Sequence, residues 1–125
     1  MGQLSDEQVK QVIAIAMDLA REGSTEELLE FFDHGLPIDT QDGDGNTALM
    51  LAAYHGRAGT VRALIERGAD VDLRNSRDQS PIAGALFKGA DEVVKALLAA
   101  DADLDAGTPT ARAAAGMFDK EDLLG

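Results

Sequence analysis

Apolar positions recur every thirty-three residues along this chain. Leu28, Val61 and Val94 keep that interval, as do Phe31, Leu64 and Leu97, and then Phe32, Ile65 and Leu98. Ile38, Val71 and Leu104 continue the series, each followed by an acid: Asp39, Asp72 and Asp105. Gly23, Gly56 and Gly89 punctuate it at the same spacing. A period this long means that one supersecondary unit is stacked on copies of itself. Stacked units present faces rather than deep clefts, so surface recognition is expected ahead of chemistry.

Within each unit the apolar residues follow helical spacing. Ser5 and Gln8 stand in capping-box register before a helix whose buried face is Val9, Val12, Ile13, Ala16, Leu19 and Ala20. Gly23 ends it, and Ser24 or Thr25 is predicted to cap a second helix burying Leu28, Leu29, Phe31 and Phe32 before Gly35. Thr47 opens a short helix carrying Leu49, Ala52 and Ala53, and Thr60–Arg67 forms its partner, burying Val61, Leu64 and Ile65. A third copy runs from Ser80 to Asp105 with Ile82, Ala85, Leu86, Val94, Leu97 and Leu98. Gly84 lies inside its first helix and should cost about 1 kcal/mol relative to Ala unless a neighbour packs against it. Thr108-Pro109 restarts the pattern only two residues after Asp105, where seven separate Asp72 from Ser80. The projecting turn is therefore expected to be missing there, with Ala113, Ala114, Phe118, Leu123 and Leu124 forming a closing helix pair.

The segment from Asp42-Gly-Asp-Gly-Asn-Thr47-Ala-Leu-Met through Tyr54-His-Gly56 to Val61-Arg-Ala-Leu-Ile-Glu-Arg-Gly-Ala-Asp70 resembles an ankyrin repeat. Residues 75–105 resemble it again, with Ser80-Pro81-Ile82, Gly89 and Val93-Val94. The resemblance implies an all-α solenoid of helix-turn-helix units with short projecting hairpin loops. It divides a single domain, 1–125, into an N-terminal capping repeat at 5–41, repeats at 42–74 and 75–107, and a truncated C-terminal cap at 108–124. The family's Thr-Pro-Leu-His becomes Thr47-Ala-Leu-Met50 and Ser80-Pro-Ile-Ala83, which removes the histidine that links neighbouring repeats and puts polar bonding between them in question. The small, Ala- and Arg-rich chain is similar to bacterial members of the family. The implied function is a non-catalytic protein–protein interaction module. Its face would comprise Asp44, Asn46, Met50, Tyr54 and His55 in one repeat and Arg74, Arg77, Gln79, Phe87 and Lys88 in the next. Tyr54 and Phe87 would be paired apolar anchors or, alternatively, covers for their helix ends. Met50 would add adaptable exposed surface.

Composition narrows the partner. The formal charge is -12, and residues 1–44 hold eleven acids against only Lys10 and Arg21. A nucleic-acid partner is not expected, because phosphate binding needs clustered cations. The acidity serves solubility or a basic protein partner. The second reading is that of an acidic inhibitor or antitoxin-like protein masking a basic surface through residues 22–44. The chain contains no cysteine, so disulfides and thiolate metal sites are excluded. No apolar run approaches the roughly 18 residues of a membrane span. A cytoplasmic monomer with no cofactor, no metal and no membrane partner is expected.

Candidate chemistry is sparse. Asp42-Gly-Asp44-Gly-Asn46 imitates the start of a calcium loop, but the required Gly and bidentate Glu are replaced by Thr47 and Ala53. A structural turn is the better reading. His34 and His55 each precede a glycine at a helix end, where a cation would oppose the macrodipole. Asp42 and Asp44 on one tip and Arg74 and Arg77 on the next would orient a bipolar partner or pair with each other. No paired titratable groups mark a catalytic site.

Overall fold

The structure, a computed structural model, describes residues 4–125. It contains α1 (Asp6–Glu22), α2 (Thr25–Asp33), α3 (Ala48–Tyr54), α4 (Ala58–Glu66), α5 (Pro81–Lys88), α6 (Asp91–Ala99), α7 (Ala111–Met117) and a 3-10 helix, Glu121–Leu124. No strand occurs among the described residues. The helices form two layers. The inner layer runs α1, α3, α5, α7, and the outer layer runs α2, α4, α6 and the 3-10 helix, each element packed on its neighbours in both directions.

The repeating residues make the seam between these layers. Leu28, Val61, Leu64, Val94 and Leu97 have no exposed surface, and Ala20, Ala52, Ala53 and Ala85 are equally buried. Alanine dominates the inner layer because small side chains let helix axes approach to about 8–10 Å.

Helix starts follow the chemistry of their caps. At α1 the capping box forms: Gln8 N donates to Ser5 Oγ at 3.2 Å, and Ser5 N donates to Gln8 Oε1 at 2.9 Å. Thr47, Ser80 and Thr110 cap α3, α5 and α7 through their hydroxyls. The outer helices start without such bonds. Ser24 precedes α2 without capping it, and the Thr25 hydroxyl lies 2.7 Å from that of Thr60 instead, tying α2 to α4. α4 begins at Ala58 rather than Thr60, because the chain turns directly from Gly56 into Arg57.

The closing unit departs most from expectation. Its first helix is capped by Thr110, not by the Thr108-Pro109 pair, so it falls three residues short of the period rather than five. Thr108 instead anchors the shortened loop to the preceding tip, its N–H donating to Asp78 O at 2.7 Å and its hydroxyl to Asp78 Oδ2 at 2.8 Å. The expected second helix is a single 3-10 turn. Ala113 and Phe118 are exposed rather than part of the closing core.

Polar bonds between repeats come from aspartates elsewhere in the unit, not from the Met50 and Ala83 positions. Asp70 N donates to Asp39 Oδ1 at 2.9 Å, and one repeat later Asp103 N donates to Asp72 Oδ1 at 2.7 Å. Asp39 and Asp72, which follow the periodic Ile38 and Val71, are thus rungs between consecutive repeats, whereas Asp105 accepts from Arg112 Nε at 3.0 Å. Arg67–Asp33, Arg62–Glu92 and Lys120–Asp91 ion pairs join the same layers on the outer side.

Candidate functional site

The hairpin tips rest on internal bonds of the turn. Asp42 Oδ1 accepts from Asp44 N at 2.9 Å and from Asn46 N at 3.0 Å. One period on, Asn75 Oδ1 accepts from Arg77 N and Gln79 N, both at 3.0 Å. These bonds use the Asp42 carboxylate for turn geometry. The two tips touch: Ser76 N donates to Asp44 O at 3.0 Å, and Asn75 Nδ2 donates to Asn46 Oδ1 at 2.9 Å and Gln79 Oε1 at 2.7 Å. Asn46 and Gln79 are therefore held in place by Asn75.

Between these tips and the inner helices lies a groove of about 520 Å³. Asn46, Asn75, Arg77 and Gln79 form its tip side, and Met50, Ala83, Gly84 and Ala114 lie along its helical side. One end of each of α3, α5 and α7 adds an aromatic. Tyr54 is 38 % exposed, Phe87 59 % and Phe118 40 %. The first two rings are stacked, with centroids 6.5 Å apart and planes at 10°. Phe118 meets Phe87 edge-on at 5.4 Å. Met117, 62 % exposed, extends this ridge. Three successive layers thus present one continuous apolar edge.

The structure gathers Asn46, Met50, Tyr54, His55, Arg77, Gln79 and Phe87 around this groove, while Asp44, Arg74 and Lys88 lie outside its lining. Lys88 Nζ sits 4.9 Å from the Tyr54 ring centroid, a cation–π contact at the rim. Met50 is only 6 % exposed, so it belongs to the core rather than forming the expected adaptable surface. It is buried because α3 packs between α1 and α5. The charges of adjacent tips do not pair with one another. Arg74 binds Asp78 of its own tip at 3.1 Å, and Arg77 has no ion pair among the described residues. Asn75, Phe118 and Met117 were not foreseen. Asn75 lies one period after Asp42, a signal that could have found it.

The two histidines diverge. His34 Nδ1 lies 2.7 Å from Glu30 O at the end of α2, as expected of a helix terminus. His55 has a lowered pKa, first from burial and then from the nearby cations Arg21, Lys88 and Arg57. Its cation is disfavoured, so it does not counter the α3 dipole by charge. Its ring packs edge-on against Tyr54, with centroids 5.6 Å apart.

A second, shallower depression of about 540 Å³ lies between α1 and the first tip, lined by Ile13, Met17, Arg21, Asp42 and neighbours. No cluster of metal-ligating side chains occurs among the described residues. No helix among them is long and apolar enough to cross a membrane.

A family profile described as "Ankyrin repeats (3 copies)" matches residues 16–108. A protein of Pseudomonas aeruginosa named for its ankyrin repeats is 39% identical over 57 residues, covering 46% of this chain and 33% of that protein. Acyl-CoA-binding domain-containing proteins 2 and 1 of Arabidopsis thaliana are 35% and 36% identical over 51 and 50 residues. Those stretches cover 41% and 40% of this chain but only 14% and 15% of the two plant proteins. The chain thus spans a third or less of the length of these relatives. With the family match covering most of the two-layered stack, the chain belongs to the ankyrin repeat family.

Proposed function

We propose that this protein is a non-catalytic interaction module that binds a protein partner in the groove between its hairpin tips and inner helices. The observation that carries this reading is the aromatic edge of Tyr54, Phe87 and Phe118, exposed on three consecutive layers. Exposed aromatics in a concave site are the residue type that dominates binding energy at interfaces. The tips supply oriented polar groups beside them, because Asn75 fixes Asn46 and Gln79.

The test is the double variant Tyr54→Ala, Phe87→Ala. Both rings are substantially exposed, so the fold should survive, losing about 0.5–1.5 kcal/mol from the aromatic pair. Affinity purification from the source cell should recover the partner with the wild-type chain and lose it with the variant. The alternative, an acidic inhibitor acting through residues 22–44, predicts the reverse: binding that survives the double variant and falls steeply with added salt.

A further inference from the structure

The groove carries a charge opposite in sign to the molecule as a whole. The chain has 23 acids and a formal charge of -12, yet no carboxylate lines the groove. Its eleven basic residues divide unevenly. Lys10, Arg21, Arg62, Arg67, Arg74, Lys95, Arg112 and Lys120 each lie within ion-pair distance of an Asp or Glu. The three bases without such a partner among the described residues are Arg57, Arg77 and Lys88. Two of them meet the groove: Arg77 lines it and Lys88 stands over the Tyr54 ring at its rim, while Arg57 Nε donates to Arg21 O at 2.8 Å.

Spacing adds a second constraint. An extended peptide presents alternate side chains at about 6.6 Å. The Tyr54 and Phe87 rings repeat at 6.5 Å, and Phe118 follows at 5.4 Å. An extended strand laid across the layers meets one ring with every second residue. The volume of about 520 Å³ has room for side chains of a short segment.

Resting on the groove reading above, we infer that the occupant is an extended acidic peptide segment of a partner protein, with apolar side chains at alternate positions against Tyr54, Phe87 and Phe118 and carboxylates facing Arg77 and Lys88. The acids of α2 do not prevent this. α2 packs on the outer layer, and salt screens exposed charges beyond about 8 Å at physiological ionic strength. Two cations with no carboxylate partner among the described residues need not break an ion pair to receive one, and complementary charge of this kind sets partner choice and association rate.

A random dodecapeptide phage library panned on the full chain tests this without knowledge of the partner. The selected pool should be enriched in Asp and Glu, with Leu, Ile or Phe at alternate positions. A synthetic peptide from that pool should bind about tenfold more weakly to the Arg77→Gln, Lys88→Gln variant. The Arg77→Glu, Lys88→Glu variant should no longer select acidic sequences. Both side chains are exposed, and matching circular dichroism melts will confirm that these variants fold. An acidic pool unchanged by charge reversal overturns the inference. So does a neutral or basic pool that depends on Tyr54 and Phe87, although the groove itself would then stand as a binding site. Absence of enrichment, or enrichment indifferent to both Tyr54→Ala, Phe87→Ala and the charge variants, overturns the groove reading as well.

Discussion

At the scale of single residues, the repeat is enforced by backbone positions that few side chains tolerate. Gly45 has φ +79°, and a Cβ there would lie 2.6 Å from Ser76 N of the next tip. Left-handed backbone and a clash with main chain act together, so Gly45→Ala should destabilise by roughly 2–4 kcal/mol, read from chemical denaturation. Asp101 is the opposite case. It takes φ +61° where the preceding repeats have Gly35 and Gly68, and no side-chain bond rewards it. Asp101→Gly should therefore raise stability by about 0.5–1 kcal/mol in the same assay. Gly84 answers the question its sequence position raised. A Cβ there would sit 3.5 Å from Tyr54 Cδ1, an ordinary contact, so the residue is not required by close packing.

At the scale of elements, the rungs between repeats decide how well neighbouring units hold together. Asp72 accepts from Asp103 N while its own N–H donates to Asp70 Oδ1 at 3.0 Å. Asp72→Ala should cost about 1 kcal/mol and increase hydrogen exchange at the Asp103 amide more than at Asp70. The helices and their order were legible from period and caps, because Ser5, Thr47 and Ser80 precede apolar faces that could be buried in only one way. The rungs were visible as recurring acids but not as bonds, since spacing alone does not say which donor a carboxylate meets. The closing unit was misread because its shortened loop breaks the period. That shift carries Phe118 from the expected core to the groove. Met50 failed differently: helical position placed it on the face with Tyr54, but α1 and α5 cover it from both sides. Pairing of the cations was beyond sequence reasoning altogether. Arg74 and Arg77 look alike along the chain, and only the folded tip gives Asp78 to the first.

At the scale of the whole molecule, stability is a sum over layers and the contacts between them. α7 brings Ala111, Ala114 and Ala115 into full burial against α5, where Ile82 and Leu86 are also enclosed. Removing residues 108–125 opens that face to water. The shortened chain should melt roughly 10 °C lower or more by circular dichroism, and its loss of Met117 and Phe118 should shorten the groove at the same time. The two effects are separable, because Phe118→Ala alone removes the ring and leaves the helix. The aspartate rungs bear on how such a chain changes length. Each receives a main-chain amide, a group that every non-proline residue carries whatever its side chain. An additional layer arising by duplication would donate its amide to its predecessor's aspartate and accept its successor's amide with its own, with no matching substitution needed in either. Lengthening the aromatic edge by one step is therefore open to this protein through a single genetic event.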